Sequence, residues 1–313
     1  MQIKSLFSTE TINFLYWLIC KPLGIIAISS NTFQKGGKIL NYNLGDDLNF
    51  YLLKDLSGKR IMNYNNMRKF RLQIKHYVCI GSVFEWRVNT SSYVWGTGSI
   101  YGGTKKISAP QKIYAVRGPL TRKVLLDKGI SCPEVYGDQA LLTPLVYSPK
   151  VTKKYKIGII PHFIDYNLKS VKDFCTNHKN EVCVIQMQNY KNWKNVIEEI
   201  CSCESIVSSS LHGLILSDAY NIPNTWMRLS DKVIGGDFKF QDYFASVGRH
   251  EEEPLDFRNK DINIEDICLR IKNYHSIKIN IPLLIESCPF IKEKRKKELI
   301  RRSLNSYPKK EFV

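Results

Sequence analysis

The sequence predicts an α/β protein with two Rossmann-like domains that face each other across a cleft, followed by a helical C-terminal extension. Short apolar runs rich in β-forming residues alternate with helical stretches, which is the pattern of a parallel sheet covered by helices on both faces. The chain has 313 residues, more than one hydrophobic core usually fills. The alternation breaks once, at a polar and basic segment with a proline at residues 147–155.

The first half contains four short apolar runs that predict strands. They are Val78–Val83, Tyr93–Trp95, Ile113–Val116 and Glu134–Tyr136. The clearest helix between them is Pro119–Lys128, because a proline occupies its first turn and Gly129 follows its end. Leu120, Val124 and Leu125 share one face of this helix. These elements define a first domain at residues 1–150.

The second half repeats the same alternation. Its predicted strands are Lys156–Ile160, Val182–Gln186, Ser205–Val207 and Asn224–Leu229, with helices near residues 168–176, 192–201 and 211–220. We therefore expect a second domain at residues 151–255 and a helical, basic extension at residues 256–313. In open α/β sheets a ligand binds beyond the carboxyl ends of the strands.

The N-terminal residues 12–30 are apolar enough to raise the question of a membrane span. Lys21 and Pro22 interrupt the stretch, and neither half reaches the roughly 20 residues that a spanning helix needs. No small-residue cleavage site follows it. We expect a buried helix or strand here, in a cytoplasmic protein. The nine cysteines show no C-x-x-C pair, so we expect reduced thiols and no metal site.

The formal net charge of +17 is concentrated at the C-terminus. Residues 291–313 hold nine Lys or Arg residues against three Glu, a net charge of +6. Such a segment attracts anionic surfaces, so peripheral contact with the inner face of a membrane is one interpretation. A solvated helix end is the other. No helix-turn-helix, zinc finger or RNP pattern accompanies the charge, so we expect no nucleic acid partner.

The first motif with chemical potential is Asn43–Asn49, with the sequence NLGDDLN, at the start of a predicted helix. Acidic residues are favoured in the first turn of a helix, so one interpretation is that Asp46 and Asp47 cap this helix. The alternative is that one of them accepts a proton from a sugar hydroxyl as a general base.

The second motif is Ala115–Thr121, where a predicted strand ends in Arg117 and a helix begins at Pro119. A guanidinium at that position faces the cleft, and its planar fork binds two oxygens of a carboxylate or phosphate. An ion pair with an acidic neighbour is the structural alternative.

The third motif is Ser208–Leu214, with the sequence SSSLHGL, again at a strand-to-helix turn. The hydroxyls of Ser209 and Ser210 offer hydrogen bonds to an anion. His212 lies in the first turn of the helix, where a bound phosphate would favour the imidazolium, so it is a candidate to transfer a proton. A purely structural histidine is the alternative.

Weaker signals add three candidates for substrate binding. Gly98 lies in a glycine-rich strand end that allows a ligand to approach the backbone, and His162 closes a strand of the second domain. Lys239 supplies one more cation.

Six segments, taken in order, give the chain a resemblance to the polysaccharide pyruvyl transferases. They are NLGDDLN at 43–49, Gly81-Ser82 followed by VWGTG at 94–98, VRGPLT at 116–121, YGD at 136–138, IPH at 160–162 and SLHG at 210–213. The similarity runs from about Lys38 to about Pro289. Each segment is short, but the ordered combination is specific.

The resemblance implies a GT-B-like fold and transfer of pyruvate from phosphoenolpyruvate, as donor substrate with no further cofactor, to a sugar or lipid-linked oligosaccharide. It also implies that Arg117 holds the donor and that His212 is the family's histidine of the Leu-His motif. The chain departs from the family pattern at Ser210, where some members have arginine, and at Gln139, where many have proline. A nucleotide-sugar glycosyltransferase and a basic nucleic-acid-binding protein are the rival interpretations.

Overall fold

A computed structural model describes residues 8–35, 38–67, 74–249 and 253–306 of the chain. Contacts between Cα atoms divide the chain into two compact units that interleave along the sequence. Unit 1 comprises Met1–Asn31, Leu48–Asp138 and Asn280–Val313. Unit 2 comprises Thr32–Asp47 and Gln139–Ile279. A short stretch of the N-terminal half therefore belongs to the unit that is otherwise built from later residues.

The helices and strands alternate through most of the described chain. The strands are β1 Ile26–Ile28, β2 Gln34–Lys35, β3 Lys38–Ile39, β4 Ile61–Asn63, β5 His76–Val78, β6 Ser92–Trp95, β7 Lys112–Ala115, β8 Tyr155–Ile160, β9 Val182–Val184, β10 Cys203–Ser208, β11 Asn224–Arg228 and β12 Leu255–Asp256. The α-helices are α1 Thr9–Cys20, α2 Leu44–Ser57, α3 Phe84–Arg87, α4 Pro119–Asp127, α5 Lys169–Asn177, α6 Trp193–Cys201, α7 Leu211–Ala219, α8 Phe238–Ser246, α9 Ile264–Lys272, α10 Ile281–Glu286 and α11 Glu293–Ser306. Short 3₁₀ helices occupy Lys21–Leu23 and Gln139–Leu145.

Unit 1 contains a five-stranded parallel sheet in the order β4-β1-β5-β6-β7. Its three central strands, β1, β5 and β6, are short and almost fully buried, as parallel strands covered by helices are. In α2, Leu48, Leu52 and Leu56 recur every four residues and are fully buried, which places one face of this helix in the core. The unit is therefore α/β, as the alternation of elements predicts.

Unit 2 contains a second five-stranded parallel sheet, in the order β12-β11-β10-β8-β9. One core cluster joins Ile157, Ile159 and Val207 of the central strands to Phe174 of α5 and Ile267 of α9. On another part of the unit, α7 packs against the 3₁₀ helix Gln139–Leu145, and both elements are largely buried. Parallel sheets flanked by helices are thus present in both units.

The predicted strands of the second half all form, with ends that shift by one or two residues. In the first half, Glu134–Tyr136 does not form a strand of its own, and only a parallel bridge links Val116 to Tyr136. No strand was predicted at β2, β3, β4 or β12, which have two or three residues each. Runs this short carry no periodicity, so only pairing with a neighbouring strand defines them.

The N-terminal segment confirms one part of the expectation and corrects the other. Residues 12–30 contain most of α1, a 3₁₀ turn and β1. Strand β1 is buried as expected, but α1 is buried on one side alone, through Trp17 and Cys20. Ile19 on the other side is 73% exposed. Across the described residues, no helix combines the length and the hydropathy needed to cross a membrane.

The C-terminal helices pack on the sheet of unit 1. The indole Nε1–H of Trp95 in β6 donates to the carbonyl oxygen of Leu284 at 3.1 Å, and the Phe290 ring lies 5.4 Å from the Trp95 ring in an edge-to-face arrangement. Arg295 of α11 donates to the carbonyl oxygen of Leu56. The basic segment predicted from the sequence continues past α11 into residues 307–313, which lie outside the described residues.

A buried ionic network holds unit 2 together around Asp218, at the end of α7. This carboxylate is fully buried and pairs with Arg249 at 3.0 Å. It also accepts hydrogen bonds from the Tyr243 hydroxyl at 2.7 Å and the Asn224 side-chain amide at 2.6 Å. Tyr274 donates to it from beyond α9 at 3.0 Å. One carboxylate therefore ties three later segments of the chain to α7.

We predict that Asp218→Ala destabilises unit 2 strongly. Removing the carboxylate leaves the Arg249 guanidinium buried without its counter-charge, which costs about 3–5 kcal/mol in comparable buried pairs. Urea-induced unfolding followed by circular dichroism measures the change. Asp173→Ala is the matched control, because it breaks the exposed ion pair with Lys169 and should leave the unfolding free energy nearly unchanged. Equal effects of the two substitutions would contradict the assignment.

Candidate functional site

Three adjacent strands of unit 2 end in one row. Ile160 of β8 and Trp226 of β11 are both paired with Ser208 of β10. The residues that follow this row, including His162 and Arg228, therefore lie at the carboxyl edge of the sheet, where open α/β sheets bind ligands. Two of the segments singled out from the sequence, IPH at 160–162 and SSSLHG at 208–213, lie at this edge.

The turn from β10 to α7 is fixed by its serine side chains. The Ser208 hydroxyl donates to the carbonyl oxygen of Ile160 at 2.9 Å and accepts from the Ser210 backbone N–H at 3.0 Å. Ser209 accepts from the His162 backbone N–H at 2.8 Å. A Cβ atom on Gly213 would lie 2.3 Å from the Ser208 hydroxyl oxygen, so glycine is needed for this tight turn. His212, in the first turn of α7, is thus held on a rigid base.

The His212 imidazole lies directly against Gly45, from the NLGDDLN segment. A Cβ atom on Gly45 would lie 2.0 Å from Nδ1 of His212 and 2.4 Å from Cγ. No side chain larger than hydrogen fits at position 45 while the imidazole stays in place. Two motifs that are 167 positions apart in the sequence therefore meet within unit 2.

The NLGDDLN segment is fastened to the loop that follows β9. The Leu44 backbone N–H donates to the carbonyl oxygen of Met187 at 2.8 Å, and the Asn189 N–H donates to that of Asn41 at 2.7 Å. The Asn41 side-chain amide donates to the carbonyl oxygen of Tyr190 at 2.9 Å. These three bonds place the first turn of α2 in unit 2.

Asp46 and Asp47 take different roles in this turn. Asp46 is half-buried and accepts a hydrogen bond from the Asn43 side chain at 3.0 Å. Asp47 is only 1% exposed, and one of its oxygens accepts from the Tyr190 hydroxyl at 2.7 Å. Burial, with a smaller contribution from the charge of Asp46, raises the pKa of Asp47 from 3.8 to about 6, although the Tyr190 hydrogen bond opposes the shift. Asp47 therefore has the proton affinity of a base that works near neutral pH.

His162 and Lys239 lie close enough to influence each other. Burial, followed by the charge of Lys239, lowers the pKa of the His162 imidazole from 6.5 to about 4, so this ring is neutral at pH 7. Lys239 is 7% exposed and its Nζ donates to the carbonyl oxygen of Ile234 at 3.0 Å. Of the two, Lys239 is the one that can supply positive charge.

A cavity of about 270 Å³ opens at the same edge of the sheet. Its wall contains the stacked rings of Trp226 and Phe240, whose centroids lie 4.5 Å apart. Its polar lining includes Ser209, Arg228, Ser230, Asp231 and Asp237, and Arg228 forms an ion pair with Asp237. An aromatic wall beside several hydrogen-bonding side chains is typical of a small-molecule site.

The predicted residues of the first half, Arg117 and Gly98, contact each other in unit 1. The Arg117 side chain is fully buried and donates to the Ser82 hydroxyl and, at 2.7 Å, to the carbonyl oxygen of Ser99. A Cβ atom on Gly98 would lie 2.3 Å from Cζ of Arg117, so the guanidinium packs directly against the backbone of Gly98. Gly98 thus makes room for Arg117 itself, a role that the sequence analysis did not anticipate.

The structure brings most of the predicted residues of unit 2 together. His212 lies against Gly45, the residue that precedes Asp46 and Asp47, while Ser209, His162 and Lys239 lie around the strand ends. The sequence analysis missed Tyr190 and Arg228, since nothing in the sequence signals a hydrogen bond across 143 positions or a cavity wall. Among the described residues, no group of three or more His, Cys, Asp or Glu side chains is placed to hold a metal ion.

The chain is similar to a known protein family and to individual proteins. A family model described as polysaccharide pyruvyl transferase matches residues 12–231, more than half of the chain. An uncharacterized protein, L143, of Acanthamoeba polyphaga mimivirus is 26% identical over 289 residues, which cover 88% of this chain and 92% of that protein. The succinoglycan biosynthesis protein ExoV of Rhizobium meliloti is 28% identical over 214 residues, which cover 66% of this chain and 62% of ExoV.

We predict that Asp47→Asn stabilises the protein increasingly as the pH rises. The folded state binds the Asp47 proton more tightly than the unfolded state, so the wild type gains stability as the pH falls from about 6 towards about 4. Above about pH 6 its buried carboxylate is charged, and asparagine lacks that charge. The advantage of the variant should reach the order of 3 kcal/mol at pH 7–8 and vanish near pH 4.

Urea unfolding at a series of pH values measures this difference. Tyr190→Phe provides a second test, because it removes a hydrogen bond that lowers the pKa of Asp47 and should move the wild-type transition to higher pH. Parallel curves for wild type and Asp47→Asn across this range would show that Asp47 does not titrate there.

Proposed function

The chain belongs to the polysaccharide pyruvyl transferase family, and from this premise we propose that it moves a pyruvyl group from phosphoenolpyruvate onto a sugar diol of a surface polysaccharide or exopolysaccharide. The product is a pyruvate ketal, and phosphate is released. The name of ExoV, a succinoglycan biosynthesis protein, supports a role in making such a glycan. The sugar is carried by a repeat unit or a lipid-linked oligosaccharide.

The observation that carries the proposal is the contact between His212 and Gly45. It puts an imidazole beside a turn that contains Asp47, a buried carboxylate with a pKa of about 6. Ketal formation needs both a group that gives a proton and a group that accepts one near neutral pH. These two side chains, supported by the rigid turns of unit 2, supply that pair.

Three protons move in the proposed reaction, and the one that Asp47 accepts balances the one that His212 gives. His212 as general acid protonates the methylene carbon of phosphoenolpyruvate, which becomes a methyl group and leaves a cationic centre at the neighbouring carbon. One sugar hydroxyl adds to this centre and gives its proton to Asp47. The second hydroxyl then displaces phosphate, and its proton leaves with the phosphate. Asp46, which is half-buried, contacts the acceptor hydroxyls.

The anionic donor needs cationic partners, which we assign to Arg117 and Lys239. The resemblance to the family supports Arg117 as the donor clamp, and Ser82 and Gly98 already fix its guanidinium in one orientation. Since Ser210 stands where some relatives have arginine, Lys239 replaces that charge, and Ser209 and the neutral His162 add hydrogen bonds. This arrangement requires the two units to face each other across a cleft, as in GT-B-like enzymes, and that geometry is part of the proposal.

We assign the cavity at the strand ends of unit 2 to the acceptor sugar. Its two carboxylates are each paired with an arginine, Asp237 with Arg228 and Asp231 with Arg258, so the lining offers no excess positive charge to a phosphorylated acid with several negative charges. Carboxylates, serines and an arginine beside an aromatic wall suit a ring rich in hydroxyl groups. A volume of about 270 Å³ lies just below the roughly 300–1,000 Å³ range for sites of drug-sized ligands, so the cavity matches a small ligand such as a single sugar ring.

The reaction is tested by phosphate release from phosphoenolpyruvate across a panel of galactose-, glucose- and mannose-containing acceptors. We expect release that depends on one acceptor, together with a ketal signal in the NMR spectrum of the product. His212→Ala should fold normally and lose about 100-fold or more in kcat, because general acid catalysis contributes about 10²–10⁴. Gly45→Ala should lose a similar factor, since its new methyl group displaces the imidazole.

A double-mutant cycle separates the Gly45 effect from general damage. In a His212→Ala background the methyl group at position 45 has room, so Gly45→Ala should add almost no further loss. Full activity of His212→Ala would remove its assigned role. A thermal shift with a nucleotide sugar but none with phosphoenolpyruvate would favour a glycosyltransferase. Salt-sensitive retention on DNA without any response to phosphoenolpyruvate would favour a nucleic-acid-binding protein.

Arg228→Gln tests the assignment of the cavity. Losing a charged hydrogen bond to a sugar hydroxyl costs about 1.5–3 kcal/mol, so KM for the acceptor should rise about 10-fold to 100-fold while KM for phosphoenolpyruvate stays unchanged. Arg270→Gln is the matched control. Arg270 lies on α9, its guanidinium donates to the carbonyl oxygen of Glu253, and it does not line the cavity. A rise in KM for phosphoenolpyruvate alone would assign the cavity to the donor instead.

A further inference from the structure

Helix α1 carries an apolar stripe on its exposed side. We give this name to Ile12, Leu15, Tyr16 and Ile19, which follow the i, i+3, i+4, i+7 spacing of one helical face. Their exposed fractions are 42%, 42%, 41% and 73%. Leu18 extends the stripe on one side at 45%. A soluble helix normally presents polar side chains on this face, so a continuous exposed apolar surface marks an interaction site.

The opposite side of α1 anchors the helix in the core of unit 1. Trp17 is 6% exposed and belongs to a cluster with Ala27, Tyr64 and Met67, against which Phe14 also packs. The Ser8 hydroxyl accepts from the Thr11 backbone N–H and fixes the start of the helix. Because Trp17 and Cys20 hold one side inside, α1 cannot rotate to bury its stripe without leaving the core.

One cation touches the apolar stripe, and two more lie near the C-terminal end of α1. Arg60 donates to the Tyr16 hydroxyl at 2.8 Å, so one guanidinium touches the stripe itself. Lys21 follows the last residue of α1, with its Nζ 5.0 Å from the centre of the Trp17 ring. Lys75 is exposed and close enough to Lys21 for the two charges to interact. In α1 itself the acidic side chain is Glu10, in the first turn, away from these cations.

We propose that α1 docks unit 1 on a membrane surface that contains anionic lipid, with the apolar stripe inserted at the level of the headgroups. An apolar helix face beside basic residues is the combination that binds this interface, because burial of the side chains and attraction to the lipid charge act together. With 12 residues, α1 is too short to span the bilayer and lies along its surface. This contact is independent of the proposed reaction.

Charge favours the membrane over a second copy of the chain. A second copy would bring the same three cations and, on α1, a single acidic side chain, Glu10, so it offers these cations little negative charge. An anionic lipid surface complements the same residues.

Sedimentation with lipid vesicles tests the proposal. The wild type should bind vesicles of phosphatidylcholine with phosphatidylglycerol, and bind vesicles of phosphatidylcholine alone much less. The double variant Leu15→Gln with Ile19→Gln should lower the partition coefficient on anionic vesicles by about 10-fold or more, since it removes two apolar side chains of the stripe, including the most exposed one. Arg60→Gln with Lys75→Gln should lower it by a similar factor on anionic vesicles and leave the value for neutral vesicles unchanged.

Leu269→Gln is the matched control, since Leu269 is 64% exposed on α9 of unit 2. This substitution should leave vesicle binding at the wild-type value. Circular dichroism must give the same melting curve for all variants. Light scattering shows whether each protein is a monomer or a dimer. Two results would overturn the membrane assignment. One is a wild type that binds neither vesicle type. The other is a wild type that binds no lipid but forms a dimer, which the Leu15→Gln with Ile19→Gln variant converts to a monomer.

Discussion

The candidate site depends on the absence of a side chain at Gly45. Because glycine has no Cβ, the His212 imidazole reaches the first turn of α2, where a methyl group would lie 2.0 Å from Nδ1. Interiors are packed too tightly to absorb such an overlap. The proposed acid–base pair depends on this contact, because it fixes how close the imidazole comes to the Asp46-Asp47 turn.

The surroundings of this contact explain why it is rigid. Backbone hydrogen bonds from Leu44 and Asn189 fasten the turn to the loop after β9, and Ser208 fastens the start of α7 to the end of β8. Rigid support matters for proton transfer, because its rate depends on the distance between the donor and acceptor atoms. Gly213 serves the same turn, since the Ser208 hydroxyl fills the space that a side chain at position 213 would need.

Buried charge appears in both units with different consequences. Around Asp218 a carboxylate is compensated by Arg249 and three further donors, so the group acts as structural support. Asp47 accepts hydrogen bonds from the Tyr190 and Thr32 hydroxyls but has no cation among the groups that shift its pKa, and burial raises that pKa to about 6. The presence of a buried counter-charge thus distinguishes Asp218 from Asp47. In unit 1, Arg117 is held between the Ser82 hydroxyl and the Ser99 carbonyl oxygen.

The amino-acid sequence alone was enough to predict the α/β class and four of the described strands after residue 150, because the alternation of apolar runs is a local signal. It also predicted helix α4, from Pro119 at its start and Gly129 after its end. It also identified His212, the Asp pair and Arg117 as residues of interest, from their positions at strand-to-helix turns. Tertiary structure decided that residues 32–47 join unit 2, that Tyr190 binds Asp47, and that one side of α1 stays exposed. These features arise from contacts between residues distant in the sequence, and no local pattern of side chains records which distant partner a residue will meet.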